Sequence, residues 1–97
     1  MKEDYSNDWA PEQNEEILTK PYITGSSQVY PYDIIEYEIH NAINGTWTIE
    51  GNSAKIIDIK DNLVTVEVTS GRRGEFRLVY ELDGSKDIYY DVSILSL

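Results

Sequence analysis

The chain has 97 residues, 40% of them hydrophobic, and a formal net charge of −10, which predicts a single domain with a modest core. The negative charge disfavours nucleic acid and anionic membrane surfaces as direct partners, because binding to either needs a basic surface. The absence of cysteine excludes disulfides, thiolate metal sites and cysteine nucleophiles. No segment approaches the ~20 apolar residues of a membrane-spanning helix, so we expect no membrane insertion.

The first 16 residues differ in composition from the rest of the chain. They carry six acidic residues against Lys2, and Tyr5 and Trp9 are their only large apolar side chains. This composition is typical of a solvated tail. The alternative is an arm that orders on a partner, with Tyr5 and Trp9 as anchors, because these residue types often contribute most of the binding energy. We therefore predict an N-terminal arm over residues 1–16, a folded domain over residues 17–97, and Tyr5 and Trp9 as candidate partner-binding residues.

The folded part alternates apolar and polar residues with a period of two, which indicates half-buried β-strands. The pattern is clearest on either side of residues 70–74, where a glycine-containing turn predicts an antiparallel pair. Turns recur every eight to twelve residues, a spacing typical of a β-sandwich or small barrel. The predicted strands are residues 17–24, 34–40, 46–50, 54–59, 62–69, 75–82 and 87–95. The side chains predicted to form the structural core are those of Tyr37, Trp47, Phe76, Leu78 and Tyr80.

Residues 20–96 resemble bacterial and phage immunoglobulin-like modules of the PKD-like kind. In such modules a tryptophan of the third strand packs in the core, and an aromatic residue follows the glycine that opens the sixth strand. Trp47 and Phe76 occupy these places. The resemblance implies a seven-stranded immunoglobulin-like β-sandwich and says little about activity. It is carried by Pro21-Tyr22-Ile23-Thr24-Gly25, Tyr37 and Ile39, the segment from Gly45 to Gly51, Val64-Thr65-Val66, and the segment from Gly74 to Tyr80.

Side chains suited to catalysis or metal binding are sparse. His40 is the only histidine, and we expect it to be a surface residue at the end of a strand. The strand acids, such as Glu36 and Glu38, alternate outward and do not flank a cleft. The nearest candidates for a calcium loop, Asp58 with Asp61 and the pair Asp83-Gly84, contain too few acidic residues. We therefore predict a protein that is not an enzyme, with no catalytic residue, no metal site and no cofactor.

Arg72 and Arg73 are the only adjacent basic residues in this acidic chain, and they lie between glycines in the turn before the sixth predicted strand. The simpler interpretation is a turn that improves solubility. The alternative is a contact point for an acidic partner, because the planar guanidinium binds carboxylates through two hydrogen bonds. We keep both arginines as candidate partner-binding residues.

These observations predict a non-enzymatic, immunoglobulin-like sandwich that binds another protein. The most concrete hypothesis is an auxiliary or decoration protein on the capsid of a tailed phage, located on the virion. It rests on an N-terminus without a secretory signal, on a lone module of a type that tailed phages carry, and on the acidic aromatic arm. The alternative is a module of a bacterial cell-surface adhesin or carbohydrate-binding protein, located outside the cell.

Overall fold

The structure, a computed structural model, describes residues 20–96. This part of the chain forms eight β-strands arranged in two four-stranded sheets that pack against each other. None of the described residues belongs to a helix with the length and apolar character needed to cross a membrane. The strands are β1 (Tyr22–Thr24), β2 (Gln28–Val29), β3 (Ile34–His40), β4 (Thr46–Glu50), β5 (Ala54–Lys60), β6 (Leu63–Val68), β7 (Gly74–Glu81) and β8 (Ile88–Ile94).

The count of seven strands was wrong, because β2 was missed. Only two residues long, β2 pairs in parallel with β8, with Val29 opposite Ile94. Its pairing is extended by hydrogen bonds in which the Ser93 N–H donates to the Ser27 carbonyl at 2.8 Å and the Leu95 N–H donates to the Val29 carbonyl at 2.7 Å. A strand of two residues is too short to show a period of two, and its partner lies more than sixty positions away in the sequence.

One sheet has the strand order β1-β3-β6-β5 and the other has the order β2-β8-β7-β4. All neighbouring strands are antiparallel except β2 and β8. The loops β2–β3, β4–β5 and β6–β7 therefore meet at one end of the sandwich. The loops β3–β4, β5–β6 and β7–β8 meet at the opposite end, together with Lys20 at the start of β1. We call these the β6–β7 end and the β3–β4 end.

The core lies between the two sheets and is made of the inward-facing side chains of both. The five aromatic and aliphatic side chains singled out from the sequence are each 5% exposed or less. Trp47 packs edge-on against its cross-strand neighbour Tyr80, with ring centroids 4.9 Å apart. The buried cluster consists of Ile23, Val29, Tyr37, Ile39, Trp47, Ala54, Val64, Val66, Val68, Phe76, Leu78, Tyr80, Val92 and Ile94.

Two tyrosines, one from each sheet, hold the segment in which the chain passes from β1 to β2. The Tyr37 hydroxyl donates to the Ser26 carbonyl at 2.7 Å, and the Tyr90 hydroxyl donates to the Gly25 carbonyl. Gly25 has a φ of +149° and lies directly against the Tyr37 ring, so a side chain there would overlap that ring. Burial, together with the neighbouring Tyr90 hydroxyl, raises the pKa of Tyr37 well above its ordinary value.

Candidate interaction surfaces

The arginine pair lies on an exposed and well-supported turn at the β6–β7 end. The backbone N–H groups of Thr69 and Ser70 both donate to the Ser53 carbonyl, at 2.8 and 3.3 Å, which ties the turn to the β4–β5 loop. The Ser70 hydroxyl accepts a hydrogen bond from the Arg72 N–H at 3.1 Å and donates to the Arg72 carbonyl at 3.3 Å. The backbone is thus fixed, whereas the side chains of Arg72 and Arg73 are exposed to solvent.

Tyr32, which sequence reasoning did not select, contacts the same turn from the β2–β3 loop. A Cβ atom added to Gly71 would lie 2.7 Å from the Tyr32 hydroxyl oxygen, so the two residues are in close contact. Tyr32 has a φ of +66° and is 66% exposed. We call Tyr32, Arg72 and Arg73 the tip patch. The only sequence signal for Tyr32 is its place in the turn Pro31-Tyr32-Asp33, which does not reveal its contact with Gly71.

The arginines of the tip patch differ from Arg77 on the nearby strand in their contacts with carboxylates. Within residues 20–96, no carboxylate oxygen lies within 4.0 Å of a side-chain nitrogen of Arg72 or Arg73. Arg77 on β7, in contrast, donates from Nε to Asp91 at 2.7 Å, lies 3.8 Å from Glu50, and covers the Tyr89 ring at 5.1 Å. The hydrogen bond to Asp91 and its charge raise the pKa of Arg77. The two tip guanidiniums therefore remain available to carboxylates of another molecule.

A second surface is an open groove at the β3–β4 end, between the edge strands β4 and β5. Its volume is about 750 Å³. A register shift at Ile57 keeps Ile59 in line with the core residue Val64, but the open edge leaves Ile59 53% exposed. Ile43 in the β3–β4 loop is 68% exposed. We call this feature the edge groove, and its main apolar lining residues are Ile43, Trp47, Ile59 and Leu63.

Trp47 lies beneath the edge groove and is almost completely buried. Its indole Nε1 is shielded from water and has no hydrogen-bond acceptor among the described residues. A buried donor without a partner costs about 1–3 kcal/mol of folding free energy. This nitrogen is the only buried side-chain polar atom of residues 20–96 that is left in this state.

His40 lies at the end of β3 in a small polar cluster on the outer face of its sheet. The imidazole stacks on Tyr22 with ring centroids 4.7 Å apart. Its Nε2 lies 2.8 Å from the Thr24 hydroxyl and 3.8 Å from a Glu38 carboxylate oxygen. A nucleophile–base–acid relay needs the hydroxyl and the carboxylate on different ring nitrogens. Here both approach the same nitrogen, so this cluster lacks the geometry of such a relay.

The remaining predicted site residues, Tyr5 and Trp9, lie outside the described residues. Among residues 20–96, no group of three or more histidine, aspartate or glutamate side chains is arranged to hold a metal ion. In comparisons with known proteins, no family model, curated protein or solved structure matches the chain.

Proposed function

We propose that this chain is a non-enzymatic, immunoglobulin-like β-sandwich that binds another protein through the tip patch. The observation that carries the proposal is the pair of guanidiniums without carboxylate partners within residues 20–96, displayed on a hydrogen-bonded turn of a chain whose net charge is −10. A partner surface with clustered carboxylates fits this arrangement, because two arginines can bind two carboxylates in bidentate fashion. Tyr32 adds an exposed aromatic ring beside them, a residue type enriched at interfaces.

The strand order supports the immunoglobulin-like assignment. In immunoglobulin domains, the first, second, fifth and fourth strands form one sheet, and the third, sixth and seventh form the other. If β1 and β2 are taken as two halves of the first strand, this chain has the same distribution. The β1–β2 segment is the point where that strand passes from one sheet to the other, which explains the glycine and the two tyrosine hydrogen bonds found there.

Within this proposal, the concrete setting is the capsid of a tailed phage, where the chain is an auxiliary or decoration protein. The support is the resemblance to immunoglobulin-like modules that such phages carry on their virions. The arm residues Tyr5 and Trp9 then form a second contact with the capsid protein. The alternative setting is a bacterial cell-surface adhesin or carbohydrate-binding protein.

Quantitative mass spectrometry of purified particles and of cell-envelope fractions from the source culture tests the setting. The virion proposal predicts that peptides of this chain copurify with the major capsid protein at a constant ratio through a density gradient. Peptides found only in the envelope fraction would contradict the virion proposal and favour the adhesin alternative.

A further inference from the structure

We propose that the edge groove is a docking site for the N-terminal arm of the same chain, and that residues 5–9 occupy it with Trp9 against Ile43 and Ile59. The groove exposes apolar side chains that the described residues leave uncovered. Exposed, converging apolar side chains next to an open sheet edge are typical of interaction sites. This inference concerns the isolated protein and does not depend on the proposed partner.

The arm begins where it can reach the groove. The Asn41 side chain donates from Nδ2 to the Lys20 carbonyl at 3.1 Å, which holds the start of the described chain against the β3–β4 loop. That same loop contributes Ile43 and Asn44 to the wall of the groove. The tether point and the docking site therefore lie at the same end of the sandwich.

The distances decide which arm residues can dock. From β1 to β5 the sheet advances by three strand spacings, or about 14 Å. Ile17 and Leu18 are two or three positions before Lys20 and can reach about 10 Å at most. Trp9 is eleven positions before Lys20, and an extended segment of that length reaches about 36 Å. Tyr5 and Trp9 therefore have the reach to enter the groove, whereas Ile17 and Leu18 do not.

Charge does not drive this contact. The rim of the groove carries Lys60 together with Glu38 and Asp61, which gives no basic surface for an acidic arm. Burial of aromatic and aliphatic surface must supply the attraction, so docking should change little between about 0.05 and 0.5 M salt, in contrast to a contact made by exposed charges.

Ten residues separate Trp9 from Lys20, and a connection of this length corresponds to an effective concentration in the millimolar range. At micromolar protein concentrations, the arm of the same chain is therefore favoured over the arm of a second copy. Weak docking in the same chain also leaves Tyr5 and Trp9 free to exchange onto a partner surface.

The absence of cysteine allows a direct test by disulfide trapping. One variant combines Asp8→Cys, next to Trp9, with Lys60→Cys at the groove rim. The control combines Asp8→Cys with Lys86→Cys. Lys86 is also exposed and lies in the β7–β8 loop, at the same end of the sandwich as Lys20.

Under mild oxidation at micromolar concentration, we expect the Lys60→Cys variant to form a disulfide within one chain at least ~10-fold faster than the control. Adding Trp9→Ala should reduce its rate to that of the control, and 0.5 M NaCl should leave it nearly unchanged. Equal rates in the two variants would overturn the proposal. Disulfide-linked dimers as the main product would also overturn it, because the groove would then take the arm of a second copy.

Discussion

Replacement of Trp47 by alanine should lower the free energy of unfolding by about 3–5 kcal/mol, because it removes the largest aromatic side chain of the core and leaves a cavity. The indole is 5% exposed and packs edge-on against Tyr80 on the neighbouring strand. A domain of this size has a total stability of about 5–15 kcal/mol, so the variant should be close to unfolding at 25 °C.

Replacement of Trp47 by phenylalanine provides the matched control. It keeps an aromatic ring against Tyr80 but loses roughly 40 Å² of buried apolar area, which costs about 1 kcal/mol. It also removes the buried Nε1 donor that has no acceptor among the described residues, which recovers about 1–3 kcal/mol. The balance of the two effects lies between about 0 and 2 kcal/mol of added stability, so this variant should be at least as stable as the wild type.

Urea unfolding followed by far-UV circular dichroism measures both values without relying on tryptophan fluorescence. A Trp47→Ala variant whose free energy of unfolding lies within about 1 kcal/mol of the wild-type value would refute the burial of Trp47 in the core. A Trp47→Phe variant as unstable as Trp47→Ala would refute the statement that Nε1 makes no hydrogen bond with residues 20–96.

Three further changes test the fold and the tip patch by urea unfolding. Because burial raises the pKa of Tyr37, the folded protein keeps the Tyr37 hydroxyl proton while the unfolded chain loses it near pH 10. The free energy of unfolding should therefore fall by about 1.4 kcal/mol per pH unit above pH 10, and Tyr37→Phe should remove this contribution. Equal pH dependence in the wild type and the variant would contradict this prediction. Gly25→Ala should lower the free energy of unfolding by at least ~2 kcal/mol, because the added methyl group overlaps the Tyr37 ring. Gly84 has a φ of +73° and open space around it, so Gly84→Ala should cost about 1 kcal/mol. Equal costs for the two variants would refute the close contact between Gly25 and Tyr37. Changing both Arg72 and Arg73 to alanine should alter stability by about 0.5 kcal/mol or less, and a larger loss would assign them a structural role.

The features that could be predicted from the sequence are those encoded by neighbouring residues. The alternation of Ile35, Tyr37 and Ile39 with acidic residues predicted β3 with the bounds that the structure shows. The exposed turn that carries Arg72 and Arg73 could also be predicted, because the glycines on both sides of the pair indicate a turn. The all-β class followed from the spacing of such segments along the chain.

The features that could not be predicted depend on contacts between distant residues. β2 exists because Val29 meets Ile94, and nothing in the two residues of that strand indicates such a partner. Tyr32 joins the tip patch only because the β2–β3 loop lies beside Gly71. Ile59 reaches the edge groove after the register shift at Ile57, which a plain alternation does not reveal.

If the chain decorates a phage capsid as proposed, the most direct test of the tip patch as its binding surface is cosedimentation of the purified protein with phage particles stripped of it. The key variant changes Arg72 and Arg73 to alanine. The control changes Lys20 and Lys86 to alanine. Both lysines are exposed and lie at the opposite end of the sandwich, and their replacement lowers the net charge by the same amount. We expect at least ~10-fold weaker binding for the tip variant, while the control stays within about 2-fold of the wild type. Equal binding by the two variants would contradict the assignment of the tip patch as the binding surface.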